Sequence, residues 1–270
     1  MSVFEIAGYI GALFIGLTMG IMGGGGSILS VPILAYLFHY DEKVATAYSL
    51  FIVGATAFVG GVRQVFGNLV SFKAVWMFGI PAVVGVTLVR RYLVPSLPEV
   101  LFHLNGFGLT RRMFIFGLFA LLMLFSAYSV LHKTKYKISN KTKGRPEFHP
   151  LIISEGFFTG VFMGLVGAGG GFLIVPALMF ITKLPIKRAV ATSLVIVCMN
   201  SLMGFFLGDF THLEIDWVFL STFVIISFIG ILLGSYLSKF IKSERLKKYF
   251  AYFILAMGIF IFIMEFWIHT

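Results

Sequence analysis

Apolar stretches separated by short polar loops follow one another along the whole chain of 270 residues. Several of them approach or exceed the roughly 20 residues that a helix needs to cross about 30 Å of hydrocarbon. The pattern therefore predicts an all-α integral membrane protein with many spans. The ten apolar segments lie at about 4–22, 27–38, 45–66, 73–93, 112–131, 151–166, 172–182, 188–207, 216–238 and 247–267.

The pattern also occurs twice. A shift of 144 positions lays residues 16–53 over residues 160–197 without a gap. It aligns two glycine clusters, a proline and an Ala-x-Ala-x-Ser-Leu run, which apolar composition alone does not produce. We therefore divide the chain into a first transmembrane repeat, 1–131, a basic linker, 132–149, and a second transmembrane repeat, 150–270. Each repeat is predicted to be a glycine-broken helical hairpin followed by three transmembrane helices.

Basic loops set the predicted orientation, because loops rich in Lys and Arg stay in the cytoplasm. The linker 132–149 and the loops 182–188 and 239–248 are basic, so they are predicted to be cytoplasmic. The loop 208–216 carries three acidic residues and no Lys or Arg, which places it outside, together with both termini. The two repeats then point in opposite directions, an inverted topology that is common in secondary transporters. Four residues in a predicted outer loop argue against this orientation: Arg90, Arg91, Arg111 and Arg112.

Composition agrees with a cell-membrane protein. Only 12% of the residues are charged, against about 25% in soluble domains, and the mean hydropathy is +0.99. The net charge of +10 does not indicate a nucleic-acid partner, because the basic residues lie in loops between apolar segments. The single cysteine, Cys198, excludes an intrachain disulfide. It lies in an apolar segment, where it either packs or contacts a substrate.

The glycine clusters are the first candidate site. Glycine costs up to about 1 kcal/mol per residue inside a helix, so several together predict a break between two helical arms. The first turn of the next arm has N–H groups without intrahelical partners and the positive end of the helix dipole, which attract anions. An inverted repeat would bring two such ends together near the membrane midplane. The predicted substrate-binding residues are Gly23, Gly24, Gly25, Gly26 and Ser27, with Gly167, Ala168, Gly169, Gly170 and Gly171.

The alternative interpretation of these glycines is close helix packing, since small residues are common where membrane helices meet. The pairs Gly16/Gly20 and Gly160/Gly164 have the spacing that packing requires. Contiguous glycines at matching places in both halves favour a break. Whether the short arms, 27–38 and 172–182, are re-entrant or span the membrane is left open.

Polar residues of the third apolar run in each half form a second candidate group. Each can donate a hydrogen bond to an oxyanion, and each can equally bond a neighbouring helix. Arg63, near the end of an apolar helix, either binds the anion through two parallel bonds or extends its side chain to the membrane interface. The polar residues of the third apolar runs are Thr46, Tyr48, Ser49, Thr192, Ser193 and Asn200. Arg63, Ser49, Ser193, Thr192 and Asn200 are predicted to bind substrate.

Other chemistry finds no support in the sequence. No nucleophile, base and orienting group occur at usable spacing, and the glycine clusters lack the Lys-Ser/Thr of a phosphate-binding loop. The six histidines lie in or near loops without metal-ligand spacing. We therefore expect no enzyme activity, no catalytic residue, no cofactor and no metal.

The doubled motif resembles that of a known family. Residues 20–34, GIMGGGGSILSVPIL, and 164–178, GLVGAGGGFLIVPAL, look like the paired signature of the TauE/SafE sulfite exporters, as do the Ala-x-Ala-x-Ser-Leu runs. The resemblance covers nearly the whole chain apart from the linker and the 95–111 loop. It implies a multi-span bundle that moves sulfite, sulfonates or related sulfur oxyanions.

Together these observations predict a secondary transporter for a small anion, working by alternating access around a midplane site between the two glycine-broken hairpins. The alternative is an anion channel or a non-transporting membrane scaffold. The expected partners are a small anionic substrate, such as a sulfur oxyanion or sulfonate, and the lipid bilayer. A homodimer is left open.

Overall fold

The structure, a computed structural model, describes residues 3–104, 107–132 and 150–268. Within these ranges the chain is built from ten helices, and each predicted apolar segment contains one of them, with bounds that differ by at most about four residues. The first half contains α1 (Val3–Met22), α2 (residues 30–37), α3 (Glu42–Phe66), α4 (Phe72–Ser96) and α5 (Arg111–His132). The second half contains α6 (Pro150–Val166), α7 (Gly171–Phe180), α8 (Ile186–Asp209), α9 (Trp217–Leu237) and α10 (Ser243–Ile263), which continues as the π turn Met264–Ile268.

A short antiparallel hairpin departs from the all-α prediction. Its strands, β1 (Val100–Leu104) and β2 (Phe107–Thr110), join α4 to α5. Runs of five and four residues are too short to be distinguished from a loop by their pattern of apolar residues. The predicted linker, apart from His132 at the end of α5, lies outside the described residues.

Seven helices in the described ranges are long and apolar enough to cross a membrane. The first of them, Glu5–Leu37, includes the first glycine cluster, and the apolar helices Leu151–Val166 and Gly171–Phe180 are shorter. At 1.5 Å per residue, ten-residue α7 is about 15 Å long, half the thickness of the hydrocarbon core. The protein is a helical, multi-pass membrane protein.

Helix α1 packs closely along α9. A Cβ atom on Gly16 would overlap the backbone of Ser227, and one on Gly20 would lie 2.5 Å from the carbonyl oxygen of Ile231. Because the contacts advance in the same direction along both helices, α1 and α9 run parallel. The packing interpretation of this glycine pair is confirmed.

The equivalent pair of helices in the other half is α6 and α4. Gly160 packs directly on the backbone of Ala82, and a Cβ atom on Gly164 would lie 3.1 Å from the carbonyl oxygen of Val86. These helices also run parallel. The first helix of each half therefore contacts the fourth helix of the other half. In addition, α3 packs against α8, and α5 packs against α10.

The chain reverses direction after α1. A Cβ atom on Gly11 would lie 2.8 Å from Cδ1 of Ile33, and the rings of Tyr9 and Phe38 have centroids 5.8 Å apart. Later residues of the return arm therefore contact earlier residues of α1, as in a helical hairpin. In the second half, α7 likewise packs against α6.

The two ends of the bundle differ in charge. One end, here called the basic end, brings Arg63, Lys187 and Lys239 around a shared cavity. At the opposite end, here called the ion-pair end, three arginines each pair with a carboxylate: Arg90 with Asp209, Arg111 with Glu42, and Arg112 with Glu265. The loops predicted to be cytoplasmic thus contribute to the basic end. Which end faces the cytoplasm stays a prediction.

The four arginines that opposed the predicted orientation are not loop residues. Arg90 and Arg91 lie inside α4, and Arg111 and Arg112 begin α5. The side chains of Arg90 and Arg111 are buried. The sequence alone placed them with the outer loop because it could not show that carboxylates pair with three of them inside the bundle.

Candidate functional site

The first glycine cluster forms a 3₁₀ turn, Gly23–Leu29, here called the first glycine turn. Helix α1 ends at Met22, and Gly23 takes a left-handed φ of 73°, which glycine adopts without the penalty of a Cβ atom. Gly23 to Ile28 are buried. The α-helix thus breaks at the predicted cluster, and the break is a buried 3₁₀ turn that leads into α2. Such a turn keeps many backbone groups hydrogen-bonded away from lipid.

The second glycine cluster is a non-helical segment, residues 167–170, here called the second glycine turn. Gly167, Gly169 and Gly170 have φ of 72°, 65° and 60°, so three of its four residues need the left-handed conformation. Gly170 caps α7, which begins at Gly171. The carbonyl oxygen of Gly170 accepts hydrogen bonds from the N–H groups of Leu173 and Ile174. The N–H groups before them, in the first turn, have no intrahelical partners.

The two glycine turns contact each other. A Cβ atom on Gly171 would overlap the backbone of Gly24, and the hydroxyl of Ser27 donates a hydrogen bond to the carbonyl oxygen of Ala168. A Cβ atom on any glycine of the two predicted clusters would come closer to a neighbouring atom than real side chains do. The turns are thus packed against each other, with no room for a ligand between these backbones in this conformation.

The two turns have equivalent surroundings. Gly23 packs against Val190 of α8, and Gly167 packs against Thr46 of α3, which stands 144 positions before Val190. Their φ angles agree to within one degree. The sequence repeat therefore extends to the local geometry at Gly23 and Gly167, whereas the rest of the two turns differs in conformation.

Ser193 contacts the first glycine turn directly. Its Oγ accepts a hydrogen bond from the backbone N–H of Gly24 at 3.3 Å and donates to the carbonyl oxygen of Val190 at 2.9 Å. A buried backbone donor of the first glycine turn is therefore paired with a serine hydroxyl. An oxyanion that replaced this hydroxyl would find the same donor.

Ser49, the equivalent residue of the first half, reaches the turns through other hydroxyl groups. Its Oγ lies 2.5 Å from the Oγ of Ser30, which donates to the carbonyl oxygen of Ser27 at 2.6 Å. Ser27 in turn donates to Ala168. A chain of buried hydroxyls therefore joins α3 to the second glycine turn; sequence reasoning missed Ser30, which belongs to the motif but has no match in the other half.

Thr192 and Asn200 have hydrogen-bond partners outside the two glycine turns. The Oγ1 of Thr192 accepts a hydrogen bond from the backbone N–H of Ser71, the residue before α4, at 3.0 Å. Asn200 is buried, with Nδ2 3.8 Å from the sulfur of Met163 and Oδ1 without a partner. Thr56, its equivalent 144 positions earlier, also has a buried hydroxyl without a partner.

A cavity of about 240 Å³ opens at the basic end. Three of its lining residues are cations and none is acidic. Arg63 also donates from Nη1 to the carbonyl oxygen of Leu232 at 3.3 Å. Val190, which packs against Gly23, belongs to the wall, so the cavity reaches the neighbour of the first glycine turn. Its lining residues are Ile21, Arg63, Gln64, Gly67, Leu69, Lys187, Val190, Ser235, Ser238, Lys239 and Leu246.

The buried ion pairs were not predicted as functional residues. Nη2 of Arg111 and Oε1 of Glu42 are 2.5 Å apart, and Nη1 of Arg90 is 3.3 Å from Oδ2 of Asp209. A usable signal was present for Arg90, which falls inside the predicted apolar segment 73–93, since ionisable residues within membrane helices are often functional. For the carboxylates, the sequence separation hides the partner.

Cys198 is half-buried and packs against the apolar core, as in its packing interpretation. Its contact with a substrate stays untested. Within the described ranges, no group of three or more His, Cys, Asp or Glu residues is placed to hold a metal ion.

Comparison with known proteins shows that the chain is similar to membrane transporter proteins. A family model described as sulfite exporter TauE/SafE matches residues 8–261. A probable membrane transporter protein of Xylella fastidiosa (strain 9a5c) is 28% identical over 92% of this chain and 90% of its own length. One of Bacillus subtilis (strain 168) is 26% identical over 94% and 92%. One of Methanocaldococcus jannaschii is 29% identical over 71% and 69%. No solved structure matches the chain.

Proposed function

The chain belongs to the sulfite exporter TauE/SafE family, and we propose that it is a secondary transporter for a small anion, sulfite or an organosulfonate. The anion binds between the two glycine turns near the middle of the membrane. Alternating access moves this site from one end of the bundle to the other. The basic end, with the linker, faces the cytoplasm, and both termini lie outside.

The basic cavity is the observation that carries this proposal. Three cations without an acidic neighbour in the wall raise the local concentration of anions, because clefts lined by one sign of charge focus the electrostatic field. At about 240 Å³ the cavity is slightly smaller than the roughly 300–1,000 Å³ pockets of drug-sized ligands, which suits a small ion. Through Val190 it leads to the first glycine turn.

An inverted repeat is the second element of the proposal. The parallel pairs α1–α9 and α4–α6, each joining the first helix of one half to the fourth helix of the other, are expected from two copies related by a two-fold axis. The equivalent contacts of Gly23 and Gly167 support the same relation. Two hairpins that enter from opposite ends and meet at the turns give the site its midplane position.

Transport requires the turns to separate. Their backbones are in contact, so an anion enters only when one repeat moves relative to the other. The separated turns offer the N–H of Gly24, the hydroxyls of Ser27 and Ser193, and the first N–H groups of α7. Hydrogen bonds to an ionised partner are stronger than the neutral ones they replace, which favours occupation by an oxyanion.

Uptake of ³⁵S-sulfite into liposomes containing the purified protein tests this proposal. The expected result is saturable uptake that sulfonates inhibit and that protein-free liposomes lack. Uptake that rises linearly with sulfite concentration would indicate a channel. No uptake of sulfite, sulfate, thiosulfate or methanesulfonate would contradict the assignment of an anion transporter.

A further inference from the structure

Arg90 is one of the largest fully buried side chains among the described residues, although it is charged. It is 1% exposed and lies in the π turn Val89–Leu93 of α4. Its polar contacts all use one nitrogen, Nη1, which donates to Oγ1 of Thr46 at 3.1 Å and to Oδ1 of Asp209 at 3.4 Å. Nε and Nη2 are buried and have no hydrogen-bond partner.

The unpaired edge of this guanidinium lies against the second glycine turn. Its Nη2 occupies the place that a Cβ atom on Gly167 would take. Nε and Nη2 together form one of the two-donor edges with which arginine binds carboxylates and other oxyanions through parallel hydrogen bonds. Leaving such donors buried and unpaired is costly, unless a ligand engages them at another stage.

The position of Arg90 in α4 is equivalent to that of Ser235 in α9, where the basic cavity opens. Gly85 of α4 and Gly230 of α9 make equivalent contacts with α6 and α1, and five residues further along these helices stand Arg90 and Ser235. Ser235 lines the basic cavity. Arg90 instead fills the corresponding space, with Gly208 packed directly on it.

The partner of Arg90 is weakly engaged. The 3.3 Å distance between Nη1 and Oδ2 of Asp209 is longer than the 2.7–2.9 Å of strong charge-assisted hydrogen bonds, and Oδ2 has no hydrogen-bond partner. The Arg111–Glu42 pair at the same end is shorter, with Nε and Oε1 2.6 Å apart. Asp209 therefore neutralises the guanidinium without occupying its two-donor edge.

We propose that Arg90 binds the transported oxyanion at the ion-pair end, through Nε and Nη2 and against the second glycine turn, and that Asp209 neutralises Arg90 when the anion is absent. This inference rests on the proposed function. It adds a substrate contact in the first repeat, and it requires a ligand with two oxygens available to one guanidinium edge, as sulfite and sulfonates have.

The test is the dissociation constant of sulfite for the purified full-length protein, measured by calorimetry. Arg90→Lys keeps the charge but removes the two-donor edge, so sulfite should bind at least tenfold more weakly. Asp209→Asn removes the competing carboxylate, so sulfite should bind at least threefold more tightly. Arg111→Lys is the matched control, because it changes a buried pair away from the glycine turns and should leave the constant unchanged.

A purely structural ion pair gives a different pattern. In that event Arg90→Lys and Asp209→Asn would lower the melting temperature and leave sulfite affinity unchanged, and the exchanged pair Arg90→Asp with Asp209→Arg would restore uptake; either result overturns the inference. If Arg90→Lys does not fold, the Asp209→Asn constant decides, and unchanged or weaker binding rejects it. A wild-type protein that binds none of the four oxyanions would overturn the proposed function, and the role of Arg90 with it.

Discussion

Gly24 and Gly171 meet backbone to backbone where the two halves of the protein join, so closely that a Cβ atom on Gly171 would overlap the carbonyl carbon of Gly24. Neither residue is near the other in sequence, and each belongs to a different copy of the repeat. The contact makes the two glycine turns a single structural unit. Any movement of one repeat against the other must break or slide this contact.

Replacing Gly171 with alanine should therefore impair both stability and transport. Overpacking a close contact costs about 1–3 kcal/mol, and the turns would be forced apart. We expect a lower melting temperature in detergent and a loss of most sulfite uptake per folded molecule. Gly79→Ala is the control, because its nearest neighbour, Cγ1 of Ile196, would be 3.6 Å from the new methyl group. Equal behaviour of the two variants would show that the contact has no special role.

Ser193→Ala should weaken transport by leaving the N–H of Gly24 without its acceptor. An unsatisfied buried donor costs about 1–3 kcal/mol, and the hydroxyl is also a proposed substrate contact. Sulfite uptake should fall several-fold, with a higher KM. Ser227→Ala removes a buried hydrogen bond of 3.0 Å to the carbonyl oxygen of Ala12 at the α1–α9 contact. It should destabilise the protein similarly but leave KM unchanged, and a matching KM increase would argue against a specific role for Ser193.

Lys187→Gln should reduce the attraction of the basic cavity for anions. Removing one of three cations from the wall should raise the KM for sulfite a few-fold, and added salt should then slow uptake less than in the wild type. Lys248→Gln makes the same charge change outside the cavity lining and serves as the control. Identical salt dependence in all three proteins would exclude the cavity from the path of the anion.

The predicted orientation can be tested by cysteine labelling in a Cys198→Ala background. A membrane-impermeant maleimide applied to right-side-out vesicles should label Glu214→Cys at the ion-pair end. Lys242→Cys, at the basic end, should react only after the membrane is permeabilised. The opposite result would invert the orientation without affecting the fold.

The sequence could predict the parts of the site that are local. Contiguous glycines indicate a left-handed backbone conformation, found at Gly23 and Gly167, because few other residues tolerate that conformation. The serine equivalents, Ser49 and Ser193, follow from the repeat itself. The helices were predictable for a different reason, because a helix that crosses the lipid needs a minimum number of consecutive apolar residues.

The remaining features depend on distance in space. Arg90 and Asp209 are 119 positions apart, and only the packing of α4 beside the end of α8 makes them partners. The glycine turns are also closed, which a pattern of helix-breaking residues does not reveal. Composition predicts that a segment leaves the helix; it does not predict how tightly two such segments pack.

Counterflow is the most direct test of the central claim, that an anion moves by alternating access around the paired glycine turns. Liposomes containing the protein are loaded with unlabelled sulfite and diluted into a trace of ³⁵S-sulfite. The account predicts a transient accumulation of label above its equilibrium level, which Gly171→Ala abolishes and Gly79→Ala retains. Label that only approaches equilibrium, or an overshoot equal in both variants, would contradict it.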